Sequence, residues 1–476
     1  MIRPRYPSTH SAPVRFWALC FAATLAGCSS LVKVEVPLQR NAPAAFAEAP
    51  PADTASAHLE NWWQAWQDPA LTAYVDAALR ANDDLLTAQA RVLEARAIAA
   101  RADSARYPSL SAQAGAVHAF GNLRNLQIAP DDSPDLDAWA GGVTAIWEVD
   151  LFGRRTSDAE AATAMADSAL ERLRGTRIAI AGDVTQNYIE ARGLQRRLGV
   201  LARSIDTLRA LRRYVDARFT AGQATRYDLD RIDDQIAQRE AQWSPLTSAI
   251  SVRERRLAVL TRRAAQEVSP LGPPGPLTIP AVPSGEVPSS VLERRPDVRA
   301  SAALVRAQAA RLGSAKADFL PRFYLTFIGL DGHVHLDGLP GLSGTGGLIG
   351  IGADLPIFNA GRLRANVAAN DARLQAALAQ HDKTVLRTLE EVDNAYGVRH
   401  GFDARSLRLN ASLDLARRNA QSARLLYEGG QRTLQEVLDA RIDALQREDA
   451  LNQARTDAAL ATVKLYLALG GGWATE

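Results

Sequence analysis

The chain is poor in cysteine, with only Cys20 and Cys28 among 476 residues, poor in aromatic residues at 6%, and nearly balanced in charge at a formal +2. Each scarcity excludes something. Cys20 falls in an apolar run, Phe16 to Leu25, that follows Arg3, Arg5 and Arg15, the layout of a secretory signal. Its removal would leave Cys28 as the single cysteine, so no intrachain disulfide is expected. The weak net charge, with no basic cluster beside stacking aromatics, argues against nucleic acid as a partner. Beyond the signal there is no run of about 18 apolar residues, so any membrane span must be β. No Ser/His/Asp or Cys/His arrangement with a motif around it occurs, which argues against an enzyme. His333 and His335 lie on one side of an extended segment, expected at or near the loop beyond the third strand, but two histidines are too few for a closed metal site. The glycine run Gly341 to Gly352 has no following Lys and opens no helix, so it reads as a hairpin and not a phosphate cradle.

What the chain does have is alanine, leucine and far more Arg than Lys, a composition suited to long, closely packed helices. It also repeats itself. Gly153, Tyr188, Gly222 and Thr225 recur 208 positions later as Gly361, Tyr396, Gly430 and Thr433, and Asp228 matches Glu436 at the same offset. Upstream the offset is 213, pairing Asp84 with Asp297 and Pro108 with Pro321. Two copies of one unit are therefore expected, at 69–268 and 291–469, joined by a Pro/Gly-rich linker at 269–290, with a tail at 470–476.

Each copy reads as helix, two strands, long helix, tight turn, helix. Ala70 to Arg106 lacks Gly and Pro and stops before Pro108, predicting one helix. Alternation from Trp139 through Val143 and Trp147 predicts a β hairpin over 109–151 with one apolar and one wet face. Its counterpart is expected at 323–356. Trp139 and Trp147 stand about 26 Å apart along a strand, near the spacing of two aromatic girdles. From Gly153 to about Phe219, Leu194, Leu198, Leu201, Ile205, Leu208 and Val215 step with a coiled-coil period, giving a helix of ~100 Å. The long helices end at Gly222 and Gly430, and returning helices open at the N-cap residues Thr225 and Thr433. The fold class is thus mainly α with a transmembrane β portion. Four strands cannot close a sheet, and open edges in hydrocarbon leave backbone groups unsatisfied, so copies of the chain must complete the wall. Two copies would give about eight strands and three about twelve with a lumen.

Three resemblances follow from particular residues. Leu25-Ala26-Gly27-Cys28-Ser29-Ser30 resembles the lipobox of bacterial lipoproteins, which implies cleavage after residue 27, a diacylglycerol and an N-acyl chain on Cys28, and a lipid-anchored extended segment over 28–68. No other cofactor is expected. Asn61 to Leu71, Trp147 to Arg154 and Leu292-Glu293-Arg294-Arg295-Pro296-Asp297-Val298 resemble, in order, blocks of the TolC-type outer membrane factors, lipoprotein branch. That resemblance implies a homotrimer with a 12-stranded outer membrane β-barrel continuous with a long periplasmic α-helical barrel. It further implies a periplasmic membrane fusion adaptor and an inner membrane pump of the resistance-nodulation-division type as partners, and outer membrane lipids around the strands. The role implied is passive export of small molecules; a duct for type I protein secretion and a coiled-coil structural lipoprotein are the alternatives. In this family the gate lies at the periplasmic tips, where the turns Gly222 to Thr225 and Gly430 to Thr433 would dock the adaptor. The matching residues are Tyr427 and Arg432, which would bond Asp228, and Glu436 and Asp439, which would line an acidic ring. Gln435 stands where some relatives carry an apolar residue.

Overall fold

The computed structural model describes residues 32–37, 42–50, 61–120, 135–268, 270–336 and 340–471. Cys28 and the expected signal lie outside them, as do 472–476. The elements, in chain order, are a 3-10 helix at Trp62–Trp66, then α1 (Pro69–Ala81), α2 (Asp83–Ser104), β1 (Ser109–Ala119) and β2 (Leu136–Val149). There follow α3 (Arg154–Thr220), α4 (Arg226–Glu240), α5 (Trp243–Leu260), α6 (Pro288–Arg294) and α7 (Pro296–Ala317). The second repeat continues as β3 (Arg322–Leu336), β4 (Leu342–Asp354), α8 (Arg362–Glu428) and α9 (Leu434–Ala468). The chain divides into two compact units. One comprises 1–39, 92–169 and 301–381; the other comprises 40–91, 170–300 and 382–476.

The first unit holds a single antiparallel sheet in the order β1-β2-β3-β4. Among the described residues both edge strands therefore lack a partner on one side, and every residue of β1 is exposed. The unbroken register of β2 on β3 pairs Trp147 with Leu325, Ala145 with Phe327 and Val143 with Gly329, while β4 adds Ile351 and Ile349 opposite Leu325 and Phe327. Directly opposed residues share a face, so one face is apolar from Phe323 to Gly329, ~20 Å of strand. The facing side mixes Thr326, Thr144, Ser111 and Gln113 with Ile146, Ile328 and Leu348. The single apolar face predicted for the whole strand length does not persist. Farther out it becomes polar: Thr345 donates to Asp331 at 2.6 Å, His333 meets Ser343 at 3.1 Å, and His118 meets Asp137 at 2.7 Å. There the exposed apolar residues Leu330, Val334 and Val117 stand on the opposite side. His333 and His335 lie within β3, not in the loop beyond it, with their rings stacked 6.5 Å apart.

The strand-to-helix junction is a charge lock. Asp150 accepts from the backbone amides of Arg155 and Thr156 at 3.0 and 2.7 Å, capping α3. Arg154 grips Glu148 through two nitrogens, its Nη2 lying 2.7 Å from either carboxylate oxygen. Gly153, at φ 74°, makes the bend that this geometry needs.

In the second unit the two repeats solve one problem with different residues. The helix predicted over 70–106 breaks at Asn82, which is extended at ψ 133°. Its Oδ1 accepts from the amide of Asp84, starting α2, and its Nδ2 donates to Leu260 O at 3.0 Å. The repeat equivalent of Asn82 is Arg295, which separates α6 from α7 at ψ 123°. Its Nη1 donates to Ala468 O at 2.9 Å. Each thus holds the C-terminal carbonyls of its own returning helix, α5 or α9. Arg295 also binds Asp297 at 2.6 Å and Glu391 at 2.9 Å. These contacts hold its guanidinium protonated against the opposing effect of burial.

α3 and α8 are 67 residues each, ~100 Å. The coiled-coil stripe predicted on α3 is buried at Leu201, Ile205, Leu208 and Val215, but Phe219 is exposed. On α8, Leu413 and Ala416 are buried, while Leu407, Leu415, Leu425 and Leu426 stand exposed. Like the sheet edges, this surface is unfinished within one chain.

Candidate functional site: the two helical turns

Both turns have the same construction. Gln223 donates to Arg218 O and Gly222 to Phe219 O at 2.7 and 2.9 Å; Gln431 donates to Leu426 O and Gly430 to Tyr427 O at 2.8 and 2.9 Å. This six-to-one plus five-to-two pattern closes a helix through a left-handed residue, and Gly222 and Gly430 adopt φ 74° and 73°. A capping box then opens each returning helix. Asp228 Oδ2 accepts from the Thr225 amide and hydroxyl at 2.8 and 2.7 Å. Glu436 Oε2 accepts from the Thr433 amide and hydroxyl at 2.9 and 3.2 Å. The reciprocal bonds, Thr225 Oγ1 from the Asp228 amide and Thr433 Oγ1 from the Glu436 amide, are both 3.3 Å.

These bonds set the electrostatics. The Thr225 hydroxyl and then its amide hold the Asp228 carboxyl below its ordinary range. The Thr433 amide and then Arg432 do the same for Glu436. Asp439 goes the other way, because burial pushes it up despite the nearby Arg231 and its bond with Gln435. The acidic pair therefore differs in kind: Glu436 is a committed cap, and Asp439 is a half-desolvated carboxylate.

Asp228 is not bonded to Tyr427 or Arg432 within one chain, in contrast to the latch that the resemblance implies. The physical reason is local: the capping box engages Asp228, and Arg432 Nη1 lies 2.5 Å from Glu436 four residues along its own helix. Tyr427 is exposed at 40%.

What joins the turns within the chain is an apolar cluster. Leu211 and Val215 of α3, Leu229 and Ile232 of α4, and Leu438 of α9 are buried together, flanked by Tyr214, Ile236 and Leu434. At about 1.5–3 kcal/mol per buried aliphatic side chain, this cluster outweighs the exposed ion pairs around it. Ion pairs extend the joint up the helices, with Arg197 on Asp449 at 3.0 Å and Arg212 on Asp233 at 2.6 Å. Arg231, which sequence reasoning passed over, sits where its charge acts on both Asp228 and Asp439. Its signal was available: it stands one turn beyond Asp228 on the same helix face.

Comparison with known proteins completes this picture. The family model described as "Outer membrane efflux protein" matches residues 74–261 and 287–471, one segment for each repeat. The solvent efflux pump outer membrane protein SrpC of Pseudomonas putida is 28% identical over 429 residues, covering 86% of this chain and 87% of SrpC. Outer membrane protein OprJ of Pseudomonas aeruginosa is 29% identical over 468 residues, covering 96% of this chain and 95% of OprJ. Among solved structures, the outer-membrane channel OprN superposes with a TM-score of 0.80 at 27% identity, covering 92% of this chain and 98% of that one. The open sheet edges and the uncovered face of α8 find their complement in this fold class, in which three chains share a 12-stranded barrel in the outer membrane and a helical barrel in the periplasm. The chain belongs to the outer membrane efflux protein family, and it is an outer membrane channel of the efflux type.

Proposed function

We propose that the chain serves a tripartite pump of the resistance-nodulation-division type, that an adaptor docks on the turns Gly222 to Thr225 and Gly430 to Thr433, and that Cys28 carries the lipid anchor. In this reading the duct is passive, and small molecules enter it once the turns move apart. The observation that carries it is the matched pair of turns. Each is a hydrogen-bonded cap of the same backbone design that presents a short exposed loop, and the apolar cluster at Leu211 and Leu438 ties the two together. A hydrogen-bonded, doubled and exposed element is what a docking protein needs to grip without first ordering it.

The closed state in this reading pairs Arg432 with Asp228 across tips of the assembled trimer, where the Arg432 to Glu436 contact would exchange for it. Because Asp228 also caps α4, its replacement by Ala disturbs the turn as well as any latch, so Arg432→Ala is the cleaner variant. Arg432→Ala trimers in planar bilayers are expected to conduct more than the native closed channel. Unchanged closed conductance in Arg432→Ala, with adaptor binding retained, counts against the latch. Loss of adaptor binding on swapping either Gly-to-Thr turn for an unrelated loop tests the docking role separately.

A further inference from the structure

The Trp-rich 3-10 helix and the inter-repeat linker meet the first long helix around a set of donors that lack acceptors. Trp62, Trp63 and Trp66 are each at most 3% exposed, and Trp62 stacks on Tyr466 at 5.4 Å. Beside them Asp68 is engaged at both oxygens. Its Oδ1 caps α1 through the amides of Ala70 and Leu71, and its Oδ2 accepts from the Tyr188 hydroxyl at 2.7 Å. Arg192 donates to Tyr188 Oη, Gln195 Oε1, Gly272 O and Pro273 O, and Arg196 donates to Gly275 O. These bonds fasten the linker to α3.

Five donors of this set are left over, the indole N–H groups of Trp62 and Trp63 among them, and the other three stand together. Arg192 Nε, Arg196 Nη1 and Trp66 Nε1 are buried and have no acceptor among the described residues. All three residues line one small cavity, of about 20 Å³, whose wall also includes Leu71 and Ile189. That is room for one occupant of roughly the size of a water molecule.

Charge decides which occupant. Two guanidinium groups face one carboxylate, a local excess of one positive charge. Tyr188 adds nothing to the balance, because burial first and then its bond to Asp68 push its hydroxyl up to about 12. Burial and the neighbouring Arg192 pull Arg196 down, with Arg455 adding to the strain. A water could accept from two of the donors, but it would leave the third donor unmet and the excess charge in place. An anion accepts from all three and removes the excess charge.

We propose that this cavity binds one monatomic anion of the chloride class in each protomer, held by Arg192 Nε, Arg196 Nη1 and Trp66 Nε1. The anion would complete the clamp that fastens the inter-repeat linker to the first long helix.

The test uses the full-length trimer in detergent. Crystals grown with bromide in place of chloride are expected to show one anomalous peak per protomer against Arg192, Arg196 and Trp66. A water at that position, or bromide elsewhere only, overturns the proposal. Thermal midpoints at constant ionic strength should rise saturably when gluconate is exchanged for chloride or bromide. Trp66→Phe keeps an aromatic ring and removes the donor, and Arg196→Gln removes a charge; each should abolish the halide-dependent part of the rise while folding in gluconate. Full halide dependence in both variants overturns the proposal, as does its absence in the native protein.

Discussion

Gly193 of α3 lies against Thr456 of α9, and replacing it with Ala sets two opposing effects against each other. A Cβ at that position would stand 2.5 Å from Thr456 Oγ1, 2.7 Å from Cγ2 and 3.2 Å from Cβ. The first two approaches are too short for any real contact. Thr456 cannot turn aside freely, since its hydroxyl donates to Asn452 O at 2.8 Å and its side chain is buried. Overpacking of this kind costs about 1–3 kcal/mol, and Ala in place of Gly inside a helix returns about 1 kcal/mol. The expected net is a loss of up to about 2 kcal/mol, seen as a lower midpoint of the helical circular dichroism signal on heating. Gly199, two turns on, meets nothing nearer than Arg203 Nη1 at 4.0 Å, so Gly199→Ala should raise the midpoint through the same propensity term. Thr456→Ala removes the two clashing atoms, so the double variant Gly193→Ala with Thr456→Ala should lose less than the sum of the single losses, by ~1 kcal/mol or more. Midpoint shifts of equal sign for Gly193→Ala and Gly199→Ala, together with strict additivity in the double variant, would refute the reasoning.

Three further outcomes are expected. Ile349→Lys places a charge on the apolar face of β4, at an estimated cost of about 2–4 kcal/mol if it lies at the bilayer midplane; trimer yield in outer membrane fractions should fall sharply, whereas Gly350→Ser on the other face of the strand should leave it unchanged. Arg295→Met strips Asp297, Glu391 and the Ala468 carbonyl of a buried partner; because the two carboxylates are 48% and 38% exposed, the loss is about 1–3 kcal/mol, read as faster proteolysis of the linker and the end of α9. The turns should also respond to acid in two stages. Asp439 is raised, so its protonation as pH falls through that raised value relieves a partly desolvated charge and favours the folded α9. Asp228 and Glu436 are depressed, so their contribution is whole above the ordinary carboxylate range near ~4 and is lost only as pH drops through their lower folded values. Hydrogen exchange at the Thr225 and Thr433 amides, corrected for intrinsic rates, should therefore show protection that holds or grows on mild acidification and collapses below it. A monotonic loss from neutral pH would contradict the assignment.

The parts of this protein that a sequence can specify are those that local chemistry completes. A glycine followed three residues later by threonine and then by an acidic residue contains everything its turn requires, so both tips were legible in detail down to the capping threonines. Strand alternation and the unbroken 67-residue helices were legible for the same reason, as was the repeat that makes Asp228 and Glu436 equivalent. Four strands with two open edges already required more than one chain.

Tertiary structure alone decided whatever depends on a partner distant in sequence. Asn82 breaks a helix that propensity would continue, because its buried amide is needed by Leu260, whereas its counterpart Arg295 advertises the same break through Pro296. Outward along the sheet the apolar face gives way to polar pairs such as Asp331 with Thr345, a register effect that no single strand displays. Asp228 spends one carboxylate oxygen, Oδ2, on a cap, and Arg231, one turn beyond it, brings its charge to bear on both Asp228 and Asp439. Local hydrogen bonds form at little entropic cost and so are written in nearby residues; long-range ones are decided by which surfaces the packed core brings together.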